Sequence, residues 1–384
     1  MFSDSVKKTA FENFKTAIET VVPSYEKINN IVSRAQRLER LNMDDLLYLL
    51  NDGAMSYTEI IREAAYNLTI QRHGRVVRFY APIYVSNECS NKCVYCGFNS
   101  SNKINRKTLT IEELIKEAEV IKKMGIEHLL IVSGENIRTV GMSYLKEISK
   151  LLSKEFASIS VEIAPLDTEE YKELFDSGVE GVLCYQETYN PEQYKKCHIS
   201  GPKTDMKRRL DTLDRAGMSG MRFLGLAALL GLDDFKTEAL FLALHARYLE
   251  KKYWQSSVSV SFPRIRPSES GFQPKVPVDD DFLLHVISVL RLFLPDSNLV
   301  LSTRESPAFR DKSIFYGINQ ISAGSKTNPL GYSGESSSSF KKENELGKQF
   351  EISDSRTPQE ISAILSNFGY DPVFKDWDKG FRNG

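Results

Sequence analysis

The sequence predicts an α/β protein whose centre is a (β/α)8 barrel, with a helical extension before it and an α/β tail after it. Three observations predict this. Eight short β-branched runs recur along the chain, each followed by a helix or helical turn, which is the strand count of such a barrel. Residues 1–73, ahead of the first run, are instead charged and helix-prone. Charged and glycine residues also collect just after the runs, where a parallel barrel gathers its chemistry.

The elements follow in order. In the extension, 43–50 and 56–68 carry helical periodicity, and Ser56-Tyr-Thr-Glu59 reads as a capping box opening the second. Strands are expected at 76–85, 128–133, 158–163, 181–185, 221–226, 257–262, 298–303 and 317–322. Between them, a helix over 111–124 opens on the box Thr110-x-x-Glu113 and stops at Gly125. Another covers 203–216 before Gly217, and a third covers 279–293 before Pro295. The chain thus divides into an N-terminal helical extension (1–73), the barrel (74–326), and a C-terminal loop and tail packed on it (327–384). The small polar run Gly331-Tyr-Ser-Gly-Glu-Ser-Ser-Ser-Ser-Phe340 reads as a surface loop near the barrel mouth.

Composition excludes several classes. With 384 residues, 41% of them hydrophobic, the chain can bury a large core. Fifty Lys and Arg against 51 Asp and Glu leave a net charge of −1, so no nucleic-acid partner is expected. No apolar run approaches the roughly 18 residues of a membrane helix, so no membrane association is expected. Five cysteines without a signal peptide point to a reducing, cytoplasmic setting. Cys184 and Cys197 stand apart and read as core residues.

The other three cysteines form one motif after the first strand: Cys89-Ser-Asn-Lys-Cys93-Val-Tyr-Cys96-Gly-Phe98. A CxxxCxxC run offers three thiolates, enough for three irons of a cubane with the fourth left open. A structural zinc site wants four closed ligands, and the fourth cysteine is missing. The motif resembles the signature of radical S-adenosyl-L-methionine (SAM) enzymes, in which SAM chelates the open iron. The competing reading is a non-catalytic zinc barrel using Cys89, Cys93, Cys96 and His198.

The other strand ends supply further candidates. Glu135, in Ser133-Gly134-Glu135, is a solvated loop residue or a ligand contact, with Gly134 letting backbone approach closely. Glu187 caps the next helix, pairs with an arginine, or serves the site. Arg304 pairs with Glu305 or clamps a substrate carboxylate, a task suited to its planar fork. Arg264 and Arg266 reach the same rim. Arg208 and Arg209 head a charged helix face, and His198 reads as a loop histidine.

Over about residues 75–380 the chain resembles the 2-iminoacetate synthases, radical SAM tyrosine lyases serving thiamine thiazole formation. The resemblance is carried by Ala81-Pro-Ile-Tyr-Val-Ser-Asn-Glu-Cys89 and Cys96-Gly-Phe98, then Ser133-Gly-Glu135 and Tyr185-Gln-Glu-Thr-Tyr189. His198-Ile-Ser-Gly-Pro-Lys203, Arg209-Leu-Asp-Thr-Leu213 and Gly225-Leu-Ala-Ala-Leu-Leu-Gly231 follow. Next come Ser261-Phe-Pro-Arg-Ile-Arg-Pro267, Leu301-Ser-Thr-Arg-Glu-Ser-Pro307 and Ser322-Ala-Gly-Ser325. Phe350-Glu-Ile-Ser-Asp354 and Lys375-Asp-Trp-Asp378 complete the set. One position departs from it: Ser200 stands where the family often has a basic residue.

The resemblance implies a TIM-type radical SAM barrel and assigns roles. Cys89, Cys93 and Cys96 would ligate a [4Fe–4S] cluster, with Tyr95 near the SAM adenine. Gly134 and Glu135 would hold the SAM amino group, and Glu187 with Arg209 its polar ends. Arg304, with Ser302 beside it, would receive the tyrosine carboxylate. The implied reaction removes a hydrogen from the amino group of L-tyrosine and cleaves Cα–Cβ, giving 2-iminoacetate and p-cresol, while SAM yields methionine and 5′-deoxyadenosine. A thiazole synthase and a low-potential donor, flavodoxin or ferredoxin, are the implied partners. Two rivals share the chemistry. The tyrosine lyase of hydrogenase maturation needs a second cluster site near its C-terminus, and no cysteine follows Cys197 here. The tyrosine-using enzyme of deazaflavin assembly fits the C-terminal segments less well.

Overall fold

The structure, a computed structural model, describes residues 1–6, 10–334 and 346–375. Its centre is a closed ring of eight parallel strands: β1 (Val76–Ser86), β2 (His128–Ser133), β3 (Ser158–Glu162), β4 (Gly181–Glu187), β5 (Phe223–Ala228), β6 (Ser257–Ser261), β7 (Asn298–Leu301) and β8 (Gln320–Ser322). Each pairs in parallel with the next, and β1 pairs with both β2 and β8, which closes the barrel. Almost every β1 residue is buried, because one face of the strand meets the lumen and the other the helices.

Only β2 keeps both expected ends; β1, β3 and β6 shift by one residue at one end, β8 starts three residues later, after a turn at Gly317 (φ +125°), and β4, β5 and β7 shift by two. β5 starts two residues later than expected, because Gly220 turns at φ +89° and the Met221 N–H donates back to the Ala216 carbonyl. β4 runs on to Glu187 through a register shift after Tyr185. β7 stops at Leu301, so residues 302–305 leave the strand as a turn.

The helices show where local signals held. The Thr110 box forms around Ile111–Lys123, with the Glu113 N–H donating to Thr110 Oγ1 and the Thr110 N–H to Glu113 Oε2. The Ser56 box does not form. A 3-10 helix over Asp52–Tyr57, capped by Asn51, runs straight into helix Thr58–His73. The single helix expected over 203–216 is broken into Pro202–Thr204, Met206–Leu210 and Thr212–Met218. Asp205 caps the second piece, and the Asp211 carboxylate accepts the Ser3 N–H (3.1 Å) and hydroxyl (2.8 Å). A long-range contact from the N-terminus thus occupies the position where the helix interrupts.

The C-terminal tail contains helix Pro358–Asn367 and a ninth strand, β9 (Asp371–Val373). β9 pairs with Val76–Arg78 of β1, on the edge that β2 takes up from Ala81 onward. Before that helix, residues 346–356 cross the C-terminal end of the barrel. Gln349, Glu351 and Ser353 donate backbone hydrogen bonds to Thr327, Pro267 and Thr303, while the Gly97 N–H donates to Gln349. One extended segment therefore touches the loops after β1, β6, β7 and β8. Of the polar run expected as a surface loop, 335–340 lies outside the described residues, as do 341–345 after it. Its first part is not a surface loop: Tyr332 is buried and its hydroxyl donates to the Pro82 carbonyl at 2.7 Å. Asp376, Trp377 and Asp378 also lie outside the described residues.

Candidate active site

The cysteine loop begins where β1 ends, and side chains from within it hold its shape. Asn87 Nδ2 donates to the Asn105 carbonyl at 2.9 Å, while its Oδ1 accepts the Lys107 N–H at 2.7 Å. Arg106 donates to the carbonyls of Asn87, Phe98 and Asn99. The loop after β4 lies against it: the Lys92 N–H donates to Ser200, Ile199 to Lys92, and Val94 to Cys197. The two loops also exchange a backbone bridge at Cys93 and His198.

His198 is no metal ligand in this arrangement. Its Nδ1 donates to the Tyr194 carbonyl at 2.7 Å, and its Nε2 accepts the Tyr95 hydroxyl at 2.8 Å. Burial pushes its pKa down to about 3, so it is neutral, with both ring nitrogens committed. The zinc reading therefore lacks its fourth donor. Among the described residues, no three His, Cys, Asp or Glu side chains converge on a point for a single ion.

A cubane makes a different demand, because each thiolate meets its own iron. Cys93 is buried, and Cys89 and Cys96 pack against an apolar group that includes Tyr84, Phe98 and Val132. Burial pushes the thiols of Cys93 and Cys96 up, the latter to about 12. Thiolates here need an adjacent cation, which the iron of a cluster would supply. The donor set fits a [4Fe–4S] cluster.

Gly97 explains the residue after the triplet. A Cβ there would lie 2.1 Å from the Lys348 carbonyl oxygen, so only glycine admits the crossing segment. Gly97→Ala is expected to displace that segment at a cost of about 1–3 kcal/mol, measured as a lowered unfolding midpoint with reduced iron retention. Gly134 is constrained in the same way: its Cβ would meet the Glu88 carbonyl at 2.2 Å. The close approach it permits is to the cysteine loop itself.

An ionic chain joins the loops after β1, β2 and β4. Glu135 Oε2 accepts from Asn91 Nδ2 at 2.8 Å and its Oε1 from Arg209 Nη1 at 2.9 Å. Arg209 Nε donates to the Tyr185 carbonyl at 2.6 Å, and its Nη2 lies 3.7 Å from Glu187. Lys203 Nζ donates to Glu187 Oε1 at 2.7 Å. Burial opposes the charge on Glu187, but Lys203 and Arg209 outweigh it and hold its pKa below the usual range. Glu135 is thus no solvated residue, Arg209 is buried rather than on a solvated face, and Glu187 caps no helix; Asn190 does. Glu187 also sits at φ +67°, a strained backbone that turns its side chain out of the strand's alternation.

Across the lumen, the three rim arginines separate. Glu305 does not pair with Arg304. Arg264 binds it through Nε (3.1 Å to each oxygen) and Nη2, and Arg266 Nη2 reaches it at 2.7 Å. Arg304 instead stacks its guanidinium 3.3 Å from the Phe350 ring centroid, with no carboxylate partner among the described residues. Ser302 Oγ accepts the Arg304 N–H at 3.4 Å.

Arg304 faces a cavity that also takes in Tyr80, Tyr84, Glu162, Tyr185, Ser302 and Gln349. A second lobe shares Glu162, Tyr185, Arg304, Gln349 and Phe350 and reaches Tyr95, Cys96, Glu187 and Lys203. Cys96, Tyr95, Glu187 and Arg304 therefore line one lumen, with Arg209 and Glu135 linked behind Glu187 and with Gly134 against the Cys89 turn. Sequence reasoning missed Glu162, the last residue of β3, although the strand-end rule covers it. It missed Lys203 as an ion-pair partner. Gln349 and Phe350 carry no local signal, because they reach the mouth from a segment that follows the last barrel strand.

Known proteins match this arrangement along nearly the whole chain. The description "Radical SAM superfamily" matches residues 83–243, and "Biotin and Thiamin Synthesis associated domain" matches 261–371. The 2-iminoacetate synthase of Salmonella typhimurium is 44% identical over 348 residues, covering 90% of each chain, and that of Escherichia coli is 43% identical over the same shares. The chain belongs to the 2-iminoacetate synthase family. Among solved structures, the FeFe-hydrogenase maturase HydG from Carboxydothermus hydrogenoformans superposes with a TM-score of 0.87 at 31% identity, covering 97% of this chain and 85% of that one. Methylornithine synthase shares the fold, with a TM-score of 0.71 at 21% identity over 89% of this chain and 97% of that one. The fold is a radical SAM TIM-type barrel, and the family's cofactors are a [4Fe–4S] cluster and SAM. None of the helices among the described residues is long and apolar enough to cross a membrane.

Proposed function

We infer that this protein is a carbon–carbon lyase that cleaves L-tyrosine between Cα and Cβ. The products are 2-iminoacetate and p-cresol, with SAM cleaved to 5′-deoxyadenosine and methionine, and the imine serves the thiazole moiety of thiamine diphosphate. The carrying observation is the 44% identity to a 2-iminoacetate synthase over nine-tenths of both chains. When bound, the cluster and SAM supply the radical that starts the reaction.

The chain's residues bind, orient and exclude water. Cys89, Cys93 and Cys96 hold the cluster, and Tyr95 flanks the adenine. Gly134 and Glu135 take the SAM amino group, and Glu187 with Arg209 its remaining polar ends; the preformed ionic chain supports this by fixing those side chains before any ligand arrives. Arg304 takes the tyrosine carboxylate with Ser302 beside it. Its stacking on Phe350 and its lack of a carboxylate partner support that role. Flavodoxin or ferredoxin delivers the electron in the reducing cytoplasm, and a thiazole synthase receives the imine before water hydrolyses it.

Product analysis with isotopically labelled tyrosine under strict anaerobiosis tests the reading. The protein alone is expected to give p-cresol and glyoxylate in matched amounts, with ammonia. Adding thiazole synthase, its sulfur carrier and the sugar phosphate should divert label into thiazole. Labelled CO or cyanide in place of glyoxylate overturns the reading in favour of hydrogenase-maturation chemistry, and 5′-deoxyadenosine without p-cresol overturns tyrosine cleavage altogether.

A further inference from the structure

The lumen holds one carboxyl group that none of these roles uses. Glu162 projects from the end of β3 and lines both cavity lobes, so it stands where the tyrosine end meets the cluster end. Among the described residues, no hydrogen bond or ion pair reaches its carboxylate. Its neighbours are satisfied: the Tyr84 hydroxyl donates to Gln349 Oε1 at 2.7 Å, and Tyr80 and Tyr185 bond to Ser322 and Ser261. The charged groups that face it are Glu187 of β4, Lys203 and Arg209 behind β4, and Arg304 after β7. Lys203 is bound to Glu187 and Arg209 to Glu135, so Arg304 is the uncommitted cation.

An unpaired guanidinium and an unpaired carboxyl on one cavity, not in contact with each other, match the two charged groups of an α-amino acid. We propose that Glu162 binds the α-ammonium of the substrate opposite Arg304 and accepts one of its protons, leaving the neutral amine from which hydrogen is removed. This rests on the tyrosine-lyase reading above. In the transfer one N–H bond breaks and one O–H bond forms; the carboxylate becomes a carboxylic acid, the ammonium an amine, and no electron moves. Burial, reinforced by Glu187, raises the Glu162 pKa to about 7, which suits a base that must both hold and take a proton. Position separates the amino group from the phenol as its target. The reacting nitrogen must lie at the junction of the lobes, near the cluster end, whereas the phenol is the far end of the substrate from its carboxylate.

The test is equilibrium binding to the cluster-loaded protein with SAM and without reductant. L-Tyrosine is compared with 3-(4-hydroxyphenyl)propanoate, which lacks only the amino group. Wild type is expected to prefer tyrosine by about 10- to 100-fold, the worth of a charge-assisted hydrogen bond. Glu162→Gln should erase most of that preference while leaving the affinity for the propanoate nearly unchanged, and Glu162→Asp should keep part of it. Iron content and SAM binding report whether each variant is intact; if Glu162→Gln holds no cluster, Glu162→Asp alone decides, by a reduced preference. A preference unchanged in the intact variants overturns the proposal. So does a collapse of the tyrosine-over-phenylalanine preference instead, which would put the carboxyl at the phenol. Wild-type p-cresol formation is measured in parallel, and its absence would overturn the lyase reading rather than the role of Glu162.

Discussion

Cys93→Ala is expected to abolish reductive cleavage of SAM. The loop offers three thiols and no fourth donor, since both His198 nitrogens are already bonded. Removing one thiolate therefore leaves a cluster iron without its protein ligand. Cys93 is also the buried member of the triplet, so water cannot readily take its place. The matched control is Cys184→Ala, which removes a buried thiol of β4 that lies 3.9 Å from the Arg209 carbonyl. Anaerobic reconstitution followed by iron quantitation and chromatography of 5′-deoxyadenosine separates the two. Near-normal 5′-deoxyadenosine from Cys93→Ala would remove the triplet from the chemistry.

The second large effect distinguishes arginines that the sequence could not. Arg304→Ala is expected to weaken tyrosine binding by about 2–5 kcal/mol, a factor of roughly thirty to several thousand. Stability and tyrosine-independent SAM cleavage should change little, because the guanidinium is bound to no protein carboxylate. Arg264→Ala should do the reverse. It would leave the buried Glu305 carboxylate with Arg266 alone, at a cost of about 3–5 kcal/mol of stability, while the folded fraction still binds tyrosine. Thermal unfolding and tyrosine titration on both variants check this. Loss of tyrosine binding by Arg264→Ala with its stability intact, beside normal binding by Arg304→Ala, would move the clamp to the loop after β6.

The barrel was legible because its signals are local and repeated. Each strand is a short β-branched run, and β2 needed no correction at either end. The Thr110 box formed for the same reason, since donors and acceptors three residues apart need nothing from elsewhere. The Ser56 box and the helix over 203–216 failed where a preceding 3-10 helix and the N-terminal Ser3 supplied competing partners. In the site, cysteine spacing, strand-end position and the family resemblance together marked ten residues. Position alone could not say whether Glu135 was solvated or whether Arg304 paired with Glu305, because ion pairing depends on side chains tens to hundreds of residues apart.

By itself, then, the chain's order of residues determined the strand count, the three-thiol donor set and the family, since each is written in contiguous segments. The tertiary structure alone decided which charges are spent and which are free. Folding puts Glu305 between Arg264 and Arg266, and Lys203 and Arg209 onto Glu187 and Glu135. What remains uncommitted in the lumen is Arg304 on one side and Glu162 on another. A buried ion pair satisfies its members at short range and fixes their geometry, so the charged groups of the amino-acid substrate meet the side chains that folding left unpaired.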